Sequence, residues 1–183
     1  MQIYNFLLII LASSVLTVDL FCCKVKDSWQ SWNKNLLTYR IINYPRQYSK
    51  NYTDHVFKTA FKLWSQNAGI NFKHVNDSKV DIIIKFDRRN EHGIFRSGDE
   101  ISFSIPPGPH ELSGDITFND DVLWTSDGGI FDLFKRIVYE IGKSIGLKET
   151  DRETSVMNPN KKCFARQLDD GDREELQKRY GTP

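Results

Sequence analysis

Residues 138–159 read VYEIGKSIGLKETDRETSVMNP, and the fold is decided by how this stretch is read. Phe134, Ile137, Val138 and Ile141 recur at helical intervals, which predicts a helix from Phe131 to Ile145. Gly146 suits the end of that helix, since glycine tolerates the left-handed backbone that commonly closes one. Glu140 and Lys143 are three residues apart and so share a helical face. After the glycine come a charged loop and the turn-like Met157-Asn158-Pro159.

Upstream of this helix, NLLTYRIINY (Asn35 to Tyr44) mixes β-branched, aromatic and polar residues at strand-like spacing. Val56, Phe57, Ala60, Phe61 and Trp64 then predict a helix capped by Thr53 or Asp54, with Gly69 just past its end. INFKHV (Ile70 to Val75), VDIIIKF (Val80 to Phe86), EISFSI (Glu100 to Ile105) and GDITFND (Gly114 to Asp120) read as four more strands. A last helix is predicted from Leu168 to Tyr180. The order strand, helix, four strands, helix, helix is that of an α+β domain with a mixed sheet backed by helices.

Several separated pieces then converge on one family: LLTYRIINYP, VFKTAFKLWSQ, VDIIIKF, GDITFNDDVLWT, FDLFKRIVYEIGKSIGLKE, SVMNP and the closing LQKRYG. From about Trp29 to Gly181 the chain resembles the catalytic domain of a matrix metalloproteinase, a member of the metzincin clan. The resemblance implies a five-stranded mixed, twisted sheet with two long helices and a C-terminal helix, within a domain spanning 29–183. It also implies a zinc motif, H-E-x-x-H-x-x-G-x-x-H followed by a Met-turn. Two histidines one helical turn apart share a face, a third arrives after a glycine turn, and the glutamate takes a proton from zinc-bound water.

On this chain the resemblance places Glu140 at the base position and Met157 in the Met-turn. It places Tyr139, Lys143 and Glu149 at the three ligand positions. An ammonium has no lone pair to give a metal, and a phenol must first lose a proton with a reference pKa of about 10. The expectation is a chain without zinc, in which Lys143 sits between Glu140 and Glu149 as a substitute cation. The family's second, structural zinc maps onto His92, Ile94, Phe103 and Thr117, leaving His92 as the one ligand type retained. Asp81 and Asp115 match carboxylates of a family calcium site, so calcium at one site is expected as an option, against a role for these aspartates in capping turns.

The N-terminus, MQIYNFLLIILASSVLTVDLFCC, has an apolar run of the length of a secretory signal peptide and too short for a membrane span. Residues 1–22 are read as this leader, with cleavage between 17 and 23. Export would agree with two glycosylation sequons, at Asn51 and Asn76, and with a disulfide joining Cys163 to Cys22 or Cys23. Neither a propeptide of useful length nor a hemopexin domain is expected around the 29–183 domain. A formal net charge of +1 over 183 residues offers no reason to expect nucleic acid or an anionic membrane as partner. The sequence therefore reads as a secreted, monomeric, catalytically inactive homologue that binds an extracellular peptide, matrix or protease-inhibitor partner. The competing reading is an active extracellular zinc metalloendopeptidase with an atypical metal site.

Overall fold

A computed structural model describes residues 31–88, 95, 100–160 and 166–183. The leader, His92, Ile94, Cys22, Cys23 and Cys163 lie outside the described residues, and so do the expectations attached to them. The elements run β1 (Leu36–Ile41), α1 (Lys50–Ser65), β2 (Asn71–His74), β3 (Ile82–Asp87), β4 (Ser102–Ser104), β5 (Ile116–Asn119), α2 (Leu133–Ser144) and α3 (Asp170–Tyr180). The sheet order is β2-β1-β3-β5-β4; the first four strands are parallel and β4 pairs antiparallel with β5. This is the α+β, five-stranded mixed sheet that the sequence pattern implied.

β3 sits at the centre because its alternation is the most apolar. Ile84 stands in register between Ile41 of β1 and Ile116 of β5, and Ile82, Ile84 and Ile116 are fully buried. Phe57 of α1 meets Phe86 edge-on at 6.3 Å and Phe118 at 5.8 Å, while Phe86 and Phe118 stack at 5.2 Å. α1 in turn carries α2: the buried Trp64 indole donates to the Val138 carbonyl at 3.1 Å.

α1 starts a turn earlier than its apolar spacing suggested. Ser49 is the cap, its hydroxyl accepting from the Tyr52 amide, and Lys50 opens the helix. Thr53 is instead buried with its hydroxyl on the Ser49 carbonyl, and Asp54 is occupied by Tyr44 and Lys50. Hydrophobic periodicity marks only the turns that touch the core, so a polar first turn is invisible to it. α2 deviates the other way: Phe131 is exposed and lies before the helix, which Asp132 caps through the Lys135 amide.

The end of α2 is a Schellman motif. Leu147 N–H donates to Gly142 O and Gly146 N–H to Lys143 O, both at 2.9 Å, with Gly146 at φ 95°. That reversal sends the chain back along the helix toward residue 149. Gly142 has a different reason to be glycine: a Cβ there would overlap Met157 Sδ and the Trp64 ring. Met157 and Trp64 can thus press directly on the α2 backbone.

Candidate functional site

Tyr139 and Lys143 are one turn apart on α2, and the loop after Gly146 brings Glu149 up to both. The Tyr139 hydroxyl donates to Glu149 Oε1, and Lys143 Nζ lies 3.3 Å from the same oxygen. The Arg136 guanidinium and the Lys143 ammonium lie over the Tyr139 ring, at 5.0 and 5.3 Å from its centre. Burial pushes the Tyr139 phenol far above its ordinary pKa, and the hydrogen bond to Glu149 adds to that. Partial burial works to raise Glu149, yet the Tyr139 hydrogen bond and the Lys143 charge hold its carboxyl below the usual value. A neutral phenol, an ammonium and one carboxylate therefore meet at a single oxygen.

Glu140 faces elsewhere. It is fully buried; its Oε1 accepts from Ser102 Oγ at 2.6 Å and its Oε2 from Ser104 Oγ at 2.7 Å, with Arg136 3.8 Å away. Alternate residues of a strand share a face, so the two serines of β4 reach one carboxylate together. The Glu140–Lys143–Glu149 cluster expected from helical spacing is thus split. Lys143 joins Glu149, and Glu140 is a strut between α2 and β4. Residues i and i+3 lie some 60° apart around a helix, enough for a short carboxylate to turn to the sheet while a long lysine turns to the loop. Ser102, Ser104 and Arg136 are the partners that sequence reasoning missed; the Ser-Phe-Ser alternation in EISFSI was the visible signal.

Lys143→Met is therefore expected to cost less than ~1 kcal/mol, the scale of a surface ion pair. Glu149 is half-exposed, and water can replace the lysine. The Glu149 carboxyl is held low, so the pair stabilises the fold above the ordinary carboxylate range and loses that contribution as pH falls through the folded pKa. Thermal melts of both proteins, at neutral pH and across the carboxylate range, should converge on the acid side. A neutral-pH loss of several kcal/mol would instead fit a sealed, uncompensated carboxylate pair.

Met157 lies under this site with 1% of its surface exposed. Its turn is fixed from α3: the buried Asp172 accepts from Ser155 Oγ at 2.5 Å, the Val156 amide at 2.8 Å and Arg152 at 3.1 Å. Beside the turn, Ile130, Arg136, Tyr139 and Pro159 help enclose a cavity of only about 10 Å³, room for no more than a single water.

Of the positions matched to other metal sites, Phe103 and Thr117 face each other in register on β4 and β5. Phe103 packs edge-on against Phe95 at 5.8 Å, and Thr117 is buried. Asp81 accepts from the Thr38 amide and hydroxyl at 2.8 and 2.9 Å and pairs with Lys34. Asp115 accepts from the Ile83 amide at 2.9 Å, and burial raises its carboxyl. Both aspartates serve the sheet ends in this way. Among the described residues, no three His, Cys, Asp or Glu side chains gather as a metal site. Asn51, in the first turn of α1, and Asn76, between β2 and β3, are both exposed.

The mixed sheet, the glycine reversal after α2 and the buried methionine turn below it define a metzincin-like peptidase domain. The matrixin family model matches residues 31–181, and the chain belongs to that family. It is similar to stromelysin-1 of Mus musculus, 31% identical over 160 residues that cover 83% of this chain and 33% of that protein. Matrix metalloproteinase-27 of Homo sapiens is 34% identical over 148 residues, covering 75% and 29%. Interstitial collagenase of Sus scrofa is 32% identical over 132 residues, covering 70% and 28%. The chain thus spans about a third, or less, of the length of these relatives.

Proposed function

We propose that this matrixin is a pseudoprotease: Tyr139, Lys143 and Glu149 replace the catalytic zinc ligands, and the chain acts outside the cell by binding. The observation that carries the reading is the convergence of these three side chains on Glu149 Oε1. They do not fit zinc. The metal wants three neutral imidazoles or comparable lone-pair donors, and the site offers an ammonium and a phenol pushed further from ionisation by burial. The ion pair and hydrogen bond supply locally some of the cohesion that a bound metal would contribute. Glu140 is fully buried and each of its oxygens accepts from a serine hydroxyl, an arrangement that supports a structural role over one in activating water.

What remains is a framed cleft. β4 ends the sheet on the α2 side, and its serines fasten it to Glu140. An extended peptide or inhibitor segment would add to this border through backbone hydrogen bonds, which need no metal. The apolar leader and the exposed sequons at Asn51 and Asn76 support an extracellular, glycosylated protein.

Elemental analysis of the purified chain, paired with a quenched-peptide cleavage assay, tests the central claim. Far less than one zinc per chain and no chelator-sensitive cleavage are expected. Stoichiometric zinc with chelator-sensitive cleavage would establish the competing reading, an atypical metalloendopeptidase.

A further inference from the structure

Tyr139 and Lys143 are a pair of donors whose acceptor is the least fixed member of the group. Both stand on α2, and Tyr139 is 5% exposed, with the Arg136 and Lys143 cations over its ring. Lys143 and Arg136 keep only 17% and 15% of their side-chain surface in water, whereas the Glu149 side chain keeps 49%. The loop that carries Glu149 is pinned on either side. Leu147 N–H donates to Gly142 O at 2.9 Å, and Thr150 N–H to Met157 O at 3.2 Å. Releasing the carboxylate therefore takes a side-chain rotation and no movement of the fold. Glu149 also borders a groove of about 850 Å³ beside α3, which gives the released side chain room.

Its departure leaves a positive site. Arg136 and Lys143 then face Glu140, whose two oxygens are already held by Ser102 and Ser104. The donors also border the sheet. At about 100° per residue, Tyr139, Lys143 and Arg136 fall within roughly 60° of arc on α2, and Glu140, which grips β4, comes about 40° further round. A carboxylate received by Tyr139 and Lys143 can thus belong to a chain lying along β4.

We infer that Tyr139 and Lys143 form a receptor for a carboxylate of an extended peptide, and that Glu149 is its displaceable internal occupant. A phenol hydroxyl and an ammonium are both donors, and one carboxylate accepts from both. Exchange costs little, because an ion pair half in water is weak, and the incoming peptide adds backbone hydrogen bonds along β4. The inference rests on the proposed binding of peptides at β4 and names the group by which they are held. That group is either the peptide's C-terminus or an acidic side chain.

The test is calorimetric titration of the intact chain and its Glu149→Ala and Glu149→Gln variants with a short N-acetylated peptide of alternating threonine and valine. The peptide is supplied with a free C-terminal carboxylate, as the C-terminal amide, and as the amide with one internal glutamate. Both variants should bind a carboxylate-bearing form at least about tenfold more tightly than the plain amide, the scale of a hydrogen bond to a charged group. The parent should show a smaller preference, since Glu149 competes. Adding Lys143→Met to Glu149→Ala should abolish the preference, and adding Tyr139→Phe should reduce it several-fold. Adding Lys58→Met, an exposed lysine of α1, should leave it intact. Preference for the free acid assigns the site to a C-terminus and preference for the internal glutamate to a side chain; both support the receptor. Equal binding of all three forms, or a preference that survives Lys143→Met, overturns it while leaving peptide binding at β4 in place. Binding of none of them rejects both together.

Discussion

The combined variant Tyr139→His, Lys143→His, Glu149→His is expected to bind one zinc per chain and to melt at higher temperature with zinc than without. The backbone already brings positions 139 and 143 to one side of α2, and the Schellman reversal at Gly146 returns position 149 to them. With free zinc about a thousandfold above its Kd the gain is ~4 kcal/mol, a rise of roughly 8–16 °C for a domain of this size. Peptide cleavage should not return with the metal. Glu140 stays bound to Ser102 and Ser104, so a proton acceptor becomes accessible only when Ser102→Ala and Ser104→Ala are added. Calorimetric zinc titration and thermal melts decide the first part, and the quenched-peptide assay the second. A triple variant that ignores zinc would mean that the three positions no longer share metal geometry, and would remove the basis for reading them as former ligands.

Asp172→Ala is expected to be the most damaging single substitution, at about 3–5 kcal/mol, because it strands buried donors and an arginine that now share one carboxylate. Asp172 is 1% exposed and joins α3 to the methionine turn through Ser155, Val156 and Arg152. Gly171 matters here as well, since a Cβ on it would press into the Arg152 guanidinium. Asp172→Asn keeps the shape but turns a donor toward donors, and should cost roughly half as much. Urea midpoints with an unchanged slope check this; a loss under about 1 kcal/mol for the alanine variant would mean that α3 and the turn are held by packing alone. The neighbouring Asp169 gives the network an acid limit. Burial works to raise its carboxyl, but Arg152, the Asp172 amide and Thr154 bring it down to about 2. Its contribution is complete above the ordinary carboxylate range and fades as pH falls toward that value.

Much of the fold was legible because periodicity is a direct imprint of burial. The alternation in β3 and the 3.6-residue rhythm of α2 each report which side of an element touches the core. The missed cap at Ser49 and the shortened β4 lie where that imprint stops. Side-chain partners at the site were less legible. Spacing placed Glu140 and Lys143 on one face, but spacing alone does not say that two serines some 36 to 38 residues away in sequence claim the carboxylate first.

The sequence by itself determined the order of elements, the glycine reversal after Ile145 and the methionine turn, and it led to the expectation that Tyr139, Lys143 and Glu149 stand where the family motif has histidine. These are local facts, written in residue identity and period. Tertiary structure alone decided what those side chains do: Tyr139 and Lys143 close on Glu149, Glu140 turns away to β4, and Asp172 reaches across from α3 to fix the turn under Met157. A helix offers each side chain more than one neighbour, and the choice falls to whichever element packing has brought within hydrogen-bond reach.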